Sequence, residues 1–116
     1  LRKLALTTLL CVSALGGAVG QTAQASNGTS NYVMNGLMCV HKYEGAWNDP
    51  NSGGYGYYGG LQMDVTFMKN YGRAFYNRWG TADHWPIWAQ LQAGARGQAV
   101  QGWGAWPRSA RTCGLL

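Results

Sequence analysis

From Tyr32 onward the apolar positions recur at helical spacing. Val33, Leu37 and Val40 follow at intervals of four and three, the repeat of one helix face. Ser30 or Asn31 suits the cap at its start, and Gly45 suits a left-handed residue at its end. One further turn brings the same face to Glu44, because the eleven steps from Val33, at about 100° each, return to within roughly 20°. The only glutamate of the chain therefore projects from the last turn of an apolar face.

Residues 48–60 break this rhythm with turn-forming residues and closely spaced tyrosines, and Leu61-Gln62-Met63 then resumes an apolar pattern. The segment predicts a short β-hairpin or an extended loop carrying aromatic side chains. It is not a phosphate loop, since no Lys-Ser/Thr follows the glycines. Asp64 is placed to cap a second helix through Val65, Phe67, Met68 and Tyr71, ending near Gly72. Gly80 to Asp83 reads as a capping loop. Pro86 then opens a third helix with Trp88, Leu91, Ala95 and Ala99 along one face. Its small residues, Ala93, Gly94, Ala95, Gly97 and Ala99, predict close packing against a neighbour. Trp103 to Pro107 is too rich in Gly and Pro for a helix. The expected fold is a small α+β domain of about three helices with a short β-hairpin.

The start of the chain changes the bookkeeping. Arg2 and Lys3, an uncharged apolar stretch from Leu4 to Val19, and Ala23-Gln24-Ala25 have the layout of a secretory signal peptide over residues 1–25. The apolar stretch falls short of the roughly 20 residues that a membrane span needs. Residues 26–31 read as a polar, flexible tail and residues 32–116 as one domain. Cleavage leaves seven basic and four acidic residues, a net charge near +3 against +5 for the whole chain. That balance suits an anionic polymer. The basic residues are scattered singly, which argues against a nucleic-acid partner.

Without Cys11, the cysteines left are Cys39 and Cys113, which in an exported domain read as one disulfide closing a long loop. Two cysteines and two separated histidines do not make a metal site at any recognised spacing, and no cofactor is indicated.

Glu44 is the sharpest chemical candidate. An apolar face and a helix C-terminus both disfavour a negative charge, so both raise the carboxyl pKa toward what a general acid requires. A hydrogen bond at the helix end is the plainer use of the same residue. A partner carboxylate would have to be Asp49, which looks like a turn initiator before Pro50, or Asp64, which looks like a helix cap. Tyr55, Tyr57, Tyr58, Trp103 and Trp106 lie in Gly-rich segments, where exposed rings are suited to stacking on sugars. Trp79, Trp85 and Trp88 read as structural.

Three segments together resemble a known family. Cys39 to Glu44 followed by Gly45-Ala46-Trp47, then Gly56-Tyr57-Tyr58-Gly59-Gly60-Leu61-Gln62-Met63, then Gln101-Gly102-Trp103-Gly104-Ala105-Trp106-Pro107, resemble in order the transglycosylase-like core of the resuscitation-promoting factors. The resemblance covers roughly residues 32–113. It implies a secreted, lysozyme-like domain acting on peptidoglycan, with Glu44 as the catalytic acid. It implies further that Tyr58, Gln62, Asp64, Thr66, Gln101 and Trp106 bind substrate and that Cys39 pairs with Cys113. The family usually reads Cys-Glu-Ser-Gly-Gly-Asn-Trp, with Cys next to Glu, whereas four residues intervene here. Phe67-Met68 replaces the usual Thr-Trp, although Thr66 lies beside it, and Arg108 to Thr112 intervene between Pro107 and Cys113.

The expected function is cleavage of the β-1,4 bond between N-acetylmuramic acid and N-acetylglucosamine by a monomer outside the cell. Its partner is the peptidoglycan glycan strand, and no membrane contact is expected of the mature form. The rivals are a wall-binding module without turnover and a small cationic antimicrobial or adhesion protein.

Overall fold

The computed structural model describes residues 31–116. The expected signal peptide, Cys11, the expected tail up to Ser30 and the Ser30 cap lie outside the described residues, and Asn31 is already helical. Helix α1 runs over residues 31–44 and buries Leu37 and Val40. This is the face read from the spacing, and Glu44 completes its last turn.

Four more α-helices follow: α2 (Val65–Tyr71), α3 (Arg73–Trp79), α4 (Ile87–Gln101) and α5 (Pro107–Thr112). Single 3-10 turns at Ala82–His84 and Gly102–Ala105 lead into and out of α4. The expectation of an α+β, lysozyme-like domain with three helices and a β-hairpin is overturned: among the described residues there is no strand, only one isolated antiparallel bridge between Tyr58 and Met63.

The backbone explains why no ladder grows from that bridge. Tyr58 and Met63 exchange both N–H···O bonds, and the Gln62 N–H closes the intervening turn onto the Gly59 carbonyl. On one side, the side-chain carbonyl of Asn51 accepts from the backbone N–H groups of Gly56 and Tyr57, so the loop curls onto itself. On the other, Asp64 already caps α2, accepting from the Phe67 N–H at 2.7 Å. Gly56 and Gly59 and, without the excuse of being glycine, Gln62 hold positive φ, where extended pairing stops.

Helix α4 forms the centre of the domain and packs on α2 and on the turn that follows it. Its buried residues are Ala89, Gln90, Ala93, Gly94 and Gly97. Of the face chosen from the sequence spacing, Leu91 and Ala95 pack partly buried against the core, whereas Trp88 is 58% exposed and Ala99 is exposed too. The close packing expected from the small residues does occur. A Cβ on Gly94 would lie 2.5 Å from Leu61, and one on Gly97 would lie 2.1 Å from Phe67. Neighbouring side chains fill the space above the α4 backbone, so small residues take the buried face.

Two expectations for the C-terminal part also change. Gly102–Ala105 is a 3-10 turn and Pro107 opens α5, because proline is accommodated in a first helical turn. Trp103 and Trp106, expected as exposed rings, are both buried, with the Trp106 indole N–H donating to the Leu61 carbonyl at 2.8 Å. The Cys39–Cys113 disulfide is present, joining α1 to the end of α5 across a sequence separation of 74.

Candidate active site

Glu44 stands where α1 ends and the chain turns away at Gly45. Its carboxylate faces α5: Ser109 Oγ donates a hydrogen bond to Glu44 Oε2. Ser109 is buried, so this contact is held by packing as well as by the disulfide between the same two helices. Burial pushes the Glu44 carboxyl above its ordinary range, and the Ser109 hydrogen bond works against that shift without cancelling it.

A cavity of about 220 Å³ lies against Glu44, bordered by Tyr57, Gln62, Ala105, Trp106, Pro107 and Arg108. Four of these residues, Tyr57, Gln62, Ala105 and Trp106, also border a second cavity of about 230 Å³. That neighbour extends to Asp64, Thr66, Phe67, Asn70 and Gln101. The two form one groove leading from Glu44 past Gln62 to the start of α2 and the end of α4. Glu44 also borders a larger cleft of about 610 Å³ together with Gly45, Asn48, Asp49 and Ser52.

The residues singled out in the sequence therefore converge. Gln62, Asp64, Thr66, Gln101 and Trp106 border the groove, and Glu44 sits at one end of it. Tyr58 is the exception: it packs against the core, and its neighbour Tyr57 borders both cavities. This swap follows from the bridge, which commits Tyr58 to pairing with Met63 and turns the adjacent residue the other way.

Asp49 provides the second carboxylate near Glu44. The Ser52 N–H donates to its Oδ1 at 2.8 Å, and the Gln62 side-chain amide donates to its Oδ2 at 3.0 Å. These hydrogen bonds, the Ser52 backbone foremost, hold Asp49 below the usual carboxylate range. Glu44 and Asp49 thus border one cleft with their proton affinities displaced in opposite directions. Asp64 is engaged as the N-cap of α2, as its place in the sequence suggested.

Several residues that shape the site were not singled out from the sequence. Ser109 is one, since nothing local to it announces a partner 65 residues away. Arg108 borders the Glu44 cavity, and Gln90 sets the wall of the groove from behind. Fully buried, Gln90 accepts from the Gly60 N–H at 2.9 Å and donates to the carbonyls of Trp47 and Trp85 at 2.9 and 3.1 Å. A glutamine inside an otherwise small-residue helix face was the available signal. His41 completes the support, with Nδ1 3.0 Å from the Gly60 carbonyl and its ring stacked on Trp47.

Among the described residues no group of three or more His, Cys, Asp or Glu side chains is placed to hold a metal ion. No family model matches the chain, and no curated protein matches it.

Proposed function

We propose that this chain is an exported enzyme that cleaves the glycan strand of peptidoglycan, with Glu44 as the general acid. The observation that carries the reading is a half-buried carboxyl, raised in pKa, at one end of a groove bordered by aromatic and amide side chains. A glycosidic oxygen leaves only once it is protonated, and a carboxyl whose burial favours its protonated form is suited to supply that step. Tyr57, 46% exposed, offers ring surface to the sugars, and Gln62 and Gln101 offer amides for their hydroxyl and acetamido groups. The choice of peptidoglycan among glycans rests on the three motifs that resemble the resuscitation-promoting factors.

In the reaction, Glu44 gives its proton to the oxygen of the β-1,4 bond between N-acetylmuramic acid and N-acetylglucosamine. The C1–O bond breaks, and the leaving sugar departs with a free 4-hydroxyl. The positive charge that develops on the other ring is opposed by the ionised Asp49 in the adjoining cleft. C1 is then closed by water, giving a reducing end, or by the ring's own 6-hydroxyl, giving a 1,6-anhydro end. Either closure releases a proton that returns to Glu44.

The test is release of soluble fragments from purified peptidoglycan by the native protein and by Glu44→Gln, read by mass spectrometry. Native protein is expected to release fragments, and the variant at least 100-fold fewer, in line with the contribution of a positioned acid. Equal release by both, or none by the native protein, overturns the reading. The masses of the fragment ends distinguish the two closures.

A further inference from the structure

Arg108 borders two cavities, and Glu44 borders both of them. One is the groove cavity with Gln62 and Trp106, and the other, about 340 Å³, is lined by Tyr43, Ser109 and Thr112. The residue is exposed, and its guanidinium makes no hydrogen bond or ion pair among the described residues. Its backbone carbonyl accepts from the Thr112 hydroxyl. Helix stability does not call for a cation here, since Arg108 lies in the first turn of α5, where the helix dipole disfavours positive charge.

Nor does Arg108 act as the counter-ion of Glu44. No ion pair joins them, and the Glu44 carboxyl is displaced upward by burial, whereas a guanidinium bound to it would displace it downward. What remains is an uncommitted fork of donors at the end of the groove where the bond is cut. Such a fork matches a carboxylate in shape and charge.

On the reading of the site proposed above, we infer that Arg108 is a specificity residue that recognises a carboxylate carried by the sugar next to the scissile bond. In a strand of alternating N-acetylglucosamine and N-acetylmuramic acid, only the muramic residue carries a 3-O-lactyl ether. Its carboxylate is free in a peptide-free strand. When a stem peptide is attached, the lactyl group becomes an amide and the peptide supplies the carboxylates. Both sources present the same chemistry to Arg108, and an unsubstituted N-acetylglucosamine oligomer presents none.

Binding of three soluble oligosaccharides of equal length separates these cases: an uncharged N-acetylglucosamine oligomer, a peptide-free muramic strand and a peptide-bearing one. Glu44→Gln serves as the background, so that no ligand is cut, and Arg108→Gln and Arg108→Lys are added to it. Arg108→Gln is expected to weaken a carboxylate-bearing strand about tenfold relative to the uncharged oligomer, the scale of a hydrogen bond to a charged group. Arg108→Lys recovers part of the loss, and added salt reduces the difference. Greater loss on the peptide-free strand identifies the lactyl carboxylate, and greater loss on the peptide-bearing strand identifies the peptide. Equal weakening of all three ligands, or none, overturns the inference. If the native protein still cleaves peptidoglycan in that case, the inference alone has failed. If it does not, the proposed function has failed with it.

Discussion

Ser109 holds the carboxylate of Glu44 from 65 residues further along the chain, by donating its hydroxyl hydrogen to Oε2. A hydroxyl donor favours the ionised form, whereas burial favours the protonated one, and burial is the larger of the two. The group proposed as the acid is therefore both aimed and tuned by a residue on a different helix.

Ser109→Ala removes the influence that lowers the Glu44 pKa and leaves the one that raises it. Activity that needs the protonated acid is present below that pKa and is lost as pH rises through it. The alkaline limb of the pH–rate profile should consequently move to higher pH in the variant. The rate at the optimum should fall about fivefold as the carboxyl loses its orientation, equivalent to a hydrogen bond of about 1 kcal/mol. A pH–rate profile of both proteins on solubilised strands checks the two effects separately.

The same carboxyl should leave its mark on stability. Its folded pKa is raised, so its stabilising contribution is complete below the unfolded value of 4.5 and is lost as pH rises through the folded value. Within that window the folded protein keeps a proton that the unfolded chain has released. Glu44→Gln has no such slope and should be more stable than the native protein at neutral pH. The gain should be under about 1 kcal/mol, because half of the group faces water. Urea midpoints at pH 4 and pH 7 are the measurement, and a constant difference between the two proteins would contradict the expectation.

Gln90→Leu is close in volume but leaves the Gly60 N–H and the carbonyls of Trp47 and Trp85 without their partner. Abandoned buried groups of this kind cost about 1–3 kcal/mol each. A loss of at least about 3 kcal/mol is expected in urea unfolding, together with weaker strand binding as the segment bearing Gln62 loses its anchor.

Gly97→Ala puts helix propensity and packing in opposition. Alanine gains about 1 kcal/mol in a helix interior. Its Cβ, however, would lie 2.1 Å from Phe67, which borders the groove. Packing should prevail, with a net loss of about 1–3 kcal/mol and a displaced Phe67. Thermal unfolding reads the sign directly: a higher Tm would show that Phe67 moves aside without cost.

The sequence was legible where a local rule acted alone. The α1 face through Leu37 and Val40 followed from spacing, and the Asp64 cap followed from its place before an apolar run. It misled where tertiary packing chose between two local options. Spacing favoured a face of α4 through Trp88, Leu91, Ala95 and Ala99, yet Leu61 and Phe67 lie against its glycines, and the residues it buries are Ala89, Gln90, Ala93, Gly94 and Gly97. Tyr58 and Tyr57 are adjacent tyrosines, and only the bridge to Met63 decides which one reaches the groove. Helix α3 gave no signal that was recognised. Its core contacts are aromatic, with Phe75 against Trp79, Trp85 and Trp88 at ring separations of 5.4 to 6.0 Å. Among the described residues the groove side chains came chiefly from the motif resemblance, and their supports Ser109 and Gln90 came from neither spacing nor motif.

The Cys39–Cys113 bridge also determines what a break in the chain would do. The loop between Glu44 and Gln62 reaches its most open point at Tyr55, 85% exposed, with positive-φ glycines on either side, and such loop tips are favoured cutting points for proteases. A cut there would separate, along the backbone, the proposed acid from the rest of the groove. Cys39 belongs to one fragment and Cys113 to the other, so the two halves would stay covalently joined and Ser109 would stay within reach of Glu44. A nicked molecule would run as one species until reduced, and the bridge would serve as a second continuity of the chain.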